Sequence, residues 1–346
     1  MSCRVQHKKV DHAFFGWLLQ KARARGVERL TVSVSLSFRS TGRNEPAGQV
    51  LNEMNFEELE NANSYISPTL DGLPHWDIVA VPDCARADSY ESEAEMSIMT
   101  RILDRVRREI ALTVHTRTVR MRNLRPIVSF SFDDFPKSAV TNGARLLECH
   151  GVTGTFFYCR SFNGRTVDEL DYYNIDDLRR LISNGHELGC HTGSHILVSR
   201  YSRADLLTDI EENATYLREQ LGDVRMTTFA FPFGDINLGS KILLQEHFAA
   251  CRTTAPGLNH GSVDLGALKA RRLYSSAINL EGVTRLIKEA AASNAWLIFY
   301  THDVDAQPRK GGCTPGLFEA ALETALAEHC DILPVRNALT MIGFRQ

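Results

Sequence analysis

The stretch Pro126-Ile127-Val128-Ser129-Phe130-Ser131-Phe132-Asp133-Asp134-Phe135-Pro136 decides how this chain is read. Its first seven residues are β-branched, aromatic or small, so they predict a buried strand that stops at the aspartates. Asp133 and Asp134 then stand at the C-terminal mouth of that strand. Successive side chains leave a strand in different directions, so one carboxylate can face a metal while its neighbour faces a substrate. Further along, His191-Thr192-Gly193-Ser194-His195 carries two imidazoles four residues apart. A divalent cation such as zinc takes carboxylate oxygen and imidazole nitrogen, and catalytic sites usually supply three protein ligands and leave one position for water. Asp134, His191 and His195 make three, which is the donor set of a metal-dependent hydrolase.

Two more strand ends offer chemistry. Thr227-Thr228-Phe229-Ala230-Phe231-Pro232-Phe233-Gly234 is a strand-like run broken by proline and glycine, where a backbone N–H can be presented to a developing oxyanion. Ala295-Trp296-Leu297-Ile298-Phe299-Tyr300-Thr301-His302 ends in a histidine placed as a candidate general acid. Each motif alone has a plainer reading. An Asp-Asp pair after a strand is commonly a turn or a cap, and Pro-x-Gly is a turn. The hydrolase reading rests on their joint occurrence in one order.

Between the motifs, strands and helices alternate. Helices are expected over 139–149, 175–184, 204–221 and 317–327, and strands over 154–158 and 186–190. Alternating β and α implies a parallel sheet with helices outside it. The motif residues all follow expected strands, which is where a parallel barrel keeps its active site.

The ordered set Phe132-Asp133-Asp134, His191-x-x-x-His195, Pro232-x-Gly234 and His302 resembles the polysaccharide deacetylases, the NodB-homology group of carbohydrate esterases. The resemblance spans residues 120–346 and implies an α/β fold, an irregular (β/α) barrel with fewer than eight complete strands. It implies Asp133 as general base, Asp134, His191 and His195 as metal ligands, His302 as general acid and the Phe233 main-chain N–H as an oxyanion donor. The implied cofactor is a divalent metal, zinc first, with cobalt, nickel or iron as other occupants. The implied reaction removes N-acetyl groups from an amino-sugar-containing oligosaccharide or polysaccharide precursor.

The chain also departs from that pattern. Many members carry an arginine two residues before the proline of the third motif, paired with the catalytic base; here the residue is Ala230, and Arg271 or Arg272 is the expected substitute. The Asp-Trp motif that supports the acid histidine is absent, and Asp264 is the nearest replacement. Phe135-Pro136 stands where many members have Gly-Pro. Ile298 and Tyr300 stand where two leucines are common, so the acyl pocket is expected to have a different shape. The intact ligand set argues against the metal-independent relatives.

With 346 residues the chain is long for one average domain. The expected division is an N-terminal α/β domain or extension over 1–115 and the catalytic domain over 120–346. Within the first, Phe14, Trp17, Leu18 and Ala22 suggest an amphipathic helix, Leu30–Phe38 alternates as a half-buried strand, and Trp76–Val81 is a further strand. Ile98, Ile102, Val106 and Ile110 line one face of a helix, and 117–122 reads as a polar join. A net charge of −3 gives no reason to expect nucleic acid. No run of eighteen apolar residues suggests a membrane span. Neither a secretory leader nor a disulfide framework among the eight cysteines is evident, so the expectation is cytoplasmic. The expected partner is an N-acetylamino sugar; oligomeric state is not legible. Two rivals remain at this stage: a non-heme iron oxygenase using the same two histidines and carboxylate, and a catalytically silent carbohydrate-binding protein on this scaffold. A hydrolase of another acyl or amide substrate is a third.

Overall fold

Residues 126–133 build the centre of the fold because their two faces differ. The computed structural model describes residues 104–344 except 168, together with the backbone of Thr31–Ser33, Glu57–Glu58 and Ser64–Ile66. The chain divides into two compact units, Met1–Ser89 and Tyr90–Gln346. In the first unit the three short strands pair antiparallel, with Ser64–Ile66 in the middle. The strand expected over Leu30–Phe38 is described only at Thr31–Ser33. The helix expected around Trp17, the strand Trp76–Val81 and the positions Ile98 and Ile102 lie outside the described residues.

The second unit is a parallel sheet of β1 (Ile127–Asp133), β2 (Thr155–Tyr158), β3 (Glu187–Cys190), β4 (Thr228–Ala230), β5 (Ala250–Arg252), β6 (Arg271–Arg272) and β7 (Trp296–Thr301). Its order is β5-β4-β3-β2-β1-β7-β6. A short strand, β8 (Asp331–Ile332), pairs with the start of β1 on the edge whose end pairs with β2. The two ends of the sheet are joined by residues 268–272: Arg252 bridges Leu268 in parallel, and the chain then enters β6 beside β7. The ring therefore closes irregularly with seven strands, as the (β/α) barrel reading expects. Helices Ile175–Ser183, Arg203–Leu221, Leu238–His247, Leu280–Ala292 and Pro315–Ala327 fill the connections, the first two near their expected bounds. The segment expected as a helix over 139–149 is π-wound over Ala139–Ala144 and α-helical over Arg145–Cys149.

Strand β1 is buried along its whole length, so its two faces are told apart by partners. Val128, Phe130 and Phe132 join the main apolar core, with Phe132 stacked on Phe156 at 4.4 Å and Phe130 against Phe318 of helix Pro315–Ala327 at 5.1 Å. Ser129, Ser131 and Asp133 turn to the other side, into the barrel. There Trp296 Nε1 donates to Ser129 Oγ at 2.9 Å, and Ser131 Oγ donates to the Phe299 carbonyl at 2.8 Å. Glu187, fully buried, accepts from the hydroxyls of Thr155 and Thr228 and from the Arg336 N–H. A polar lumen is tolerated because its groups are paired.

The segment before β1 is not a loose join. Thr118–Arg120 forms a strand antiparallel to Ser262–Asp264. Its composition hid it, since its exposed face, Thr118 and Arg120, is polar and only Val119 packs inward. The helix over 104–113 carries Val106 and Ile110, and Lys241 satisfies its end, with Nζ donating to the carbonyls of Ala111 at 2.6 Å and Val114 at 2.7 Å. Lys241 is buried and paired with Asp264 at 2.5 Å. Asp264 also accepts from the N–H groups of Thr116, Arg117 and Gly266. Asp264 is thus committed to this anchor and does not support His302, contrary to the sequence expectation. Among the described residues no helix is long and apolar enough to cross a membrane.

Burial opposes ionisation of Asp264, but Lys241 and the backbone donors win and hold its carboxyl below the ordinary value of 3.8. A lowered carboxylate pKa contributes stability above the unfolded value that is lost as pH falls through the folded one. Lys241→Met, which leaves a buried carboxylate unpaired, should lose ~3–5 kcal/mol at neutral pH. In urea unfolding the variant should converge with the unaltered protein as the pH drops below the ordinary carboxylate range.

Candidate active site

All the sequence motifs arrive at one mouth because parallel strands end on the same side. Asp134 follows β1, His191 follows β3, Phe233 lies just past β4, and His302 follows β7. Asp134 Oδ1 lies 3.2 Å from His195 Nε2 and 3.5 Å from His191 Nε2. One ligand atom from each of the three residues fits within 4.8 Å of the others. Asp134 Oδ1 is buried yet accepts no hydrogen bond. An anionic oxygen left so, facing two imidazole nitrogens, is poorly satisfied by protein alone and fits a cation.

The protonation states agree with that role. Burial disfavours the Asp134 carboxylate, but the His191 and His195 imidazoles override it and hold the group down at about 2. Burial pushes the His191 imidazole below its usual value, against the pull of Asp134 and Asp133, so the ring is neutral and able to ligate. His191 Nδ1 donates to the Ala230 carbonyl at 2.8 Å, which leaves Nε2 as the free lone pair.

The local backbone is strained where it must aim these groups. Asp134 (φ 54°), Thr192 (φ 62°), His195 (φ 51°) and Phe233 (φ 58°) are all left-handed without being glycine. Each such residue costs ~1–3 kcal/mol and persists only where the surroundings fix it. Helix Arg203–Leu221 fixes the histidine loop: Asp209 accepts from the Gly193 N–H at 2.6 Å. A side chain at Gly193 would meet the Asp209 carbonyl at 2.8 Å. Phe135, the variant position of the first motif, stacks on Tyr173 at 4.0 Å and meets Phe156 edge-on at 5.3 Å. It fills the core beneath the aspartates.

Asp133 faces the lumen with 4% exposure and forms an ion pair with Arg252, whose side chain is fully buried. Arg271 and Arg272 are not its partners, which corrects the sequence expectation. The register explains the substitution: Ala230, where an arginine was missed, is directly paired with Arg252 on the next strand. Register neighbours share a face, so an arginine moved one strand over still reaches the same lumen. Its guanidinium lies between the rings of Phe157 and Tyr300, with 5.0 Å from its carbon to each centroid. That placement holds the cation against Asp133 at low conformational cost. Sequence alone could have found it only through the β4–β5 register.

His302 stands across the mouth, with Nε2 3.9 Å from Asp134 Oδ2. Its Nδ1 lies 3.0 Å from the Gly311 carbonyl, which can only accept, so Nδ1 carries the proton and Nε2 faces the site. A backbone carbonyl thereby does the orienting expected of Asp264. A side chain at Gly311 would meet His302 Nδ1 at 2.8 Å, and one at Gly312 would strike Asp303 Oδ1 at 1.8 Å. The Phe233 ring packs on His195 at 4.4 Å and is 65% exposed. Gly234 next to it (φ 67°) admits no side chain, since a Cβ would fall 2.0 Å from Thr254 Oγ1.

If Arg252 is the obligatory partner of Asp133, removing it alone should be costly and removing both should not. Arg252→Met is expected to lose ~3–5 kcal/mol, and the double variant with Asp133→Asn to recover most of it, in a double-mutant cycle read by urea unfolding. Additive losses would show that the pair is not coupled.

With the geometry in place, comparison with known proteins gives the following. Residues 121–247 match the family model described as polysaccharide deacetylase. A region of 112 residues is 30% identical to the peptidoglycan-N-acetylmuramic acid deacetylase PdaC of Bacillus subtilis (strain 168), covering 32% of this chain and 22% of that protein. The chain thus matches about a fifth of that relative's length. Among solved structures, the chitin deacetylase of Colletotrichum lindemuthianum is 18% identical, with a TM-score of 0.45 over 65% of this chain and 91% of that one. A CE4-family pseudoenzyme from Bacillus anthracis is 13% identical, with a TM-score of 0.45 over 64% of this chain and 67% of that one. The family match takes in Asp133, Asp134, His191, His195 and Phe233, and ends before Arg252 and His302. Residues 121–247 thus carry this chain's likeness to the polysaccharide deacetylase family.

Proposed function

We propose that the chain is a metal-dependent deacetylase acting on an N-acetylated amino sugar within an oligosaccharide or polysaccharide precursor. The observation that carries this reading is the convergence of three ligand atoms from Asp134, His191 and His195 beside an ion-paired Asp133, with His302 opposite. The relatives point the same way, being described as deacetylases of peptidoglycan N-acetylmuramic acid and of chitin. Zinc is the proposed occupant, held by Asp134 and the Nε2 atoms of the two histidines. When bound, the cation supplies Lewis-acid polarisation of the acyl carbonyl and a more acidic water.

The chain's own groups do the rest. Asp133, ion-paired with Arg252, takes a proton from the attacking water as its oxygen bonds to the acyl carbon. The Phe233 N–H donates to the oxyanion. With Nδ1–H held by the Gly311 carbonyl, the imidazolium form of His302 gives its Nε2 proton to the departing nitrogen as the C–N bond breaks, releasing acetate and a free amine and leaving a neutral ring. Amines leave poorly without that proton. The silent-scaffold alternative was suggested by the missing arginine and Asp-Trp pair; Arg252 and the Gly311 carbonyl supply what those would have supplied, which favours an active enzyme. Residues 1–115 serve in this reading as a structural or substrate-presenting extension.

Acetate release from N-acetylglucosamine oligomers and peptidoglycan fragments, using metal-stripped protein reconstituted with zinc or cobalt, tests the proposal. Release should require metal and fall ~10²–10⁴-fold in Asp133→Asn and His302→Ala while metal stays bound. Release that is indifferent to Asp133→Asn, or none from any substrate with metal bound, would overturn it.

A further inference from the structure

The side of the mouth that holds His302 is basic in a way the reaction itself does not need. Arg272, at the end of β6, is exposed, and its Nε donates to Tyr300 Oη at 3.0 Å. That bond fixes the plane of the guanidinium and leaves both Nη groups free; among the described residues no carboxylate pairs with it. Two residues on, the Tyr274 ring lies 5.6 Å from the His302 ring and 5.5 Å from that of Tyr300. Its hydroxyl makes no hydrogen bond among the described residues. Burial, with the phenol of Tyr300 and the carboxylate of Asp133, pushes the Tyr274 phenol up, so it remains a donor. Lys310 belongs to the loop whose Gly311 carbonyl orients His302, and its own carbonyl accepts from Ser276 Oγ at 2.8 Å. This ties the loop to the segment that follows Tyr274. Lys310 is exposed and has no ion-pair partner among the described residues.

These groups differ from the other cation of the site. Arg252 is buried and committed to Asp133, so it has no charge to offer a ligand. Arg272 and Lys310 are exposed and have no carboxylate partner among the described residues; Arg272 bonds to Tyr300 two residues before His302, and Lys310 directly precedes the Gly311 that orients His302. The acid histidine marks the side on which the amine departs, and that amine is borne by the sugar. A donor set of one oriented guanidinium, one ammonium and one phenol on that side matches an anionic oxygen group.

We infer that Arg272, Tyr274 and Lys310 form an anion subsite on the leaving-amine side, so the preferred substrate is an N-acetylated amino sugar that carries a carboxylate or phosphate on that sugar or its neighbour. The inference rests on the deacetylase reading for its orientation. A neutral chitin-type chain would leave the subsite to water.

The test compares three probes: a neutral N-acetylglucosamine oligomer, a glycan containing N-acetylmuramic acid, which carries a carboxylate, and a phosphorylated N-acetylglucosamine oligomer. In the zinc-loaded full chain, kcat/KM for at least one anionic probe should exceed that for the neutral one by about tenfold or more, through KM. Arg272→Gln and Lys310→Gln should each shrink that ratio, the first about tenfold, and raising the salt to about 0.5 M should compress it. Which anionic probe gains tells carboxylate from phosphate. The same probes titrated calorimetrically into Asp133→Asn, with and without Arg272→Gln, read binding without turnover. An Arg272-dependent preference for an anionic probe in binding, with no acetate released by the active-site-intact protein, would uphold the subsite and sink the deacetylase reading. Equal handling of neutral and anionic probes, or equal loss on both in Arg272→Gln, would overturn the subsite whatever the outcome for hydrolysis.

Discussion

A buried carboxylate oxygen with no hydrogen-bond donor is the constraint around which the mouth of this barrel is arranged. Asp134 Oδ1 faces two imidazole nitrogens and accepts nothing else. Leaving such a group unsatisfied costs ~1–3 kcal/mol or more, and the protein adds left-handed backbone at Asp134, His195, Thr192 and Phe233. Sequences do not keep several unfavourable features in one place without a compensating gain, and a bound cation removes the largest of them. The rest of the site follows. His191 is held in one tautomer by the Ala230 carbonyl, the histidine loop is pinned by Asp209, and the core beneath is filled by Phe135 and Tyr173.

The second organising element is the transfer of a charge from one strand to the next. Ala230 and Arg252 are register partners, so an arginine can leave one position for the other and still reach Asp133 across the lumen. Between Phe157 and Tyr300, Arg252 is held on both faces, which limits its movement. His302 shows the same economy. With Asp264 bound to Lys241 at the far anchor, the Gly311 carbonyl orients His302, and only glycine fits there. Replacement of motif residues by spatial neighbours keeps the geometry while erasing the sequence pattern.

This explains what was legible in the sequence. The strands of the second unit announced themselves because a closed parallel barrel buries both faces, giving the apolar runs at 127–132, 155–158 and 296–301. The candidate ligand set was legible because Asp134 and His191 directly follow strands and His195 lies four residues past His191. Arg252 was not, because its significance lies in which strand neighbours which, a fact carried by long-range pairing. Lys241 and Asp264 were hidden for a similar reason: they lie far from helix 104–113 in sequence and meet its end only in the fold. The strand Thr118–Arg120 was missed because a short edge strand with one inward residue has too little alternation to distinguish it from a polar loop.

The proposal depends on Asp134, His191 and His195 together holding one metal ion. Crystals of zinc-loaded protein, measured on both sides of the zinc absorption edge, test it most directly. One strong anomalous peak is expected ~2.0–2.2 Å from Asp134 oxygen and the Nε2 atoms of both histidines, and its loss is expected in His191→Ala. A peak elsewhere, or a peak that survives at the same place without His191 and His195, would contradict it.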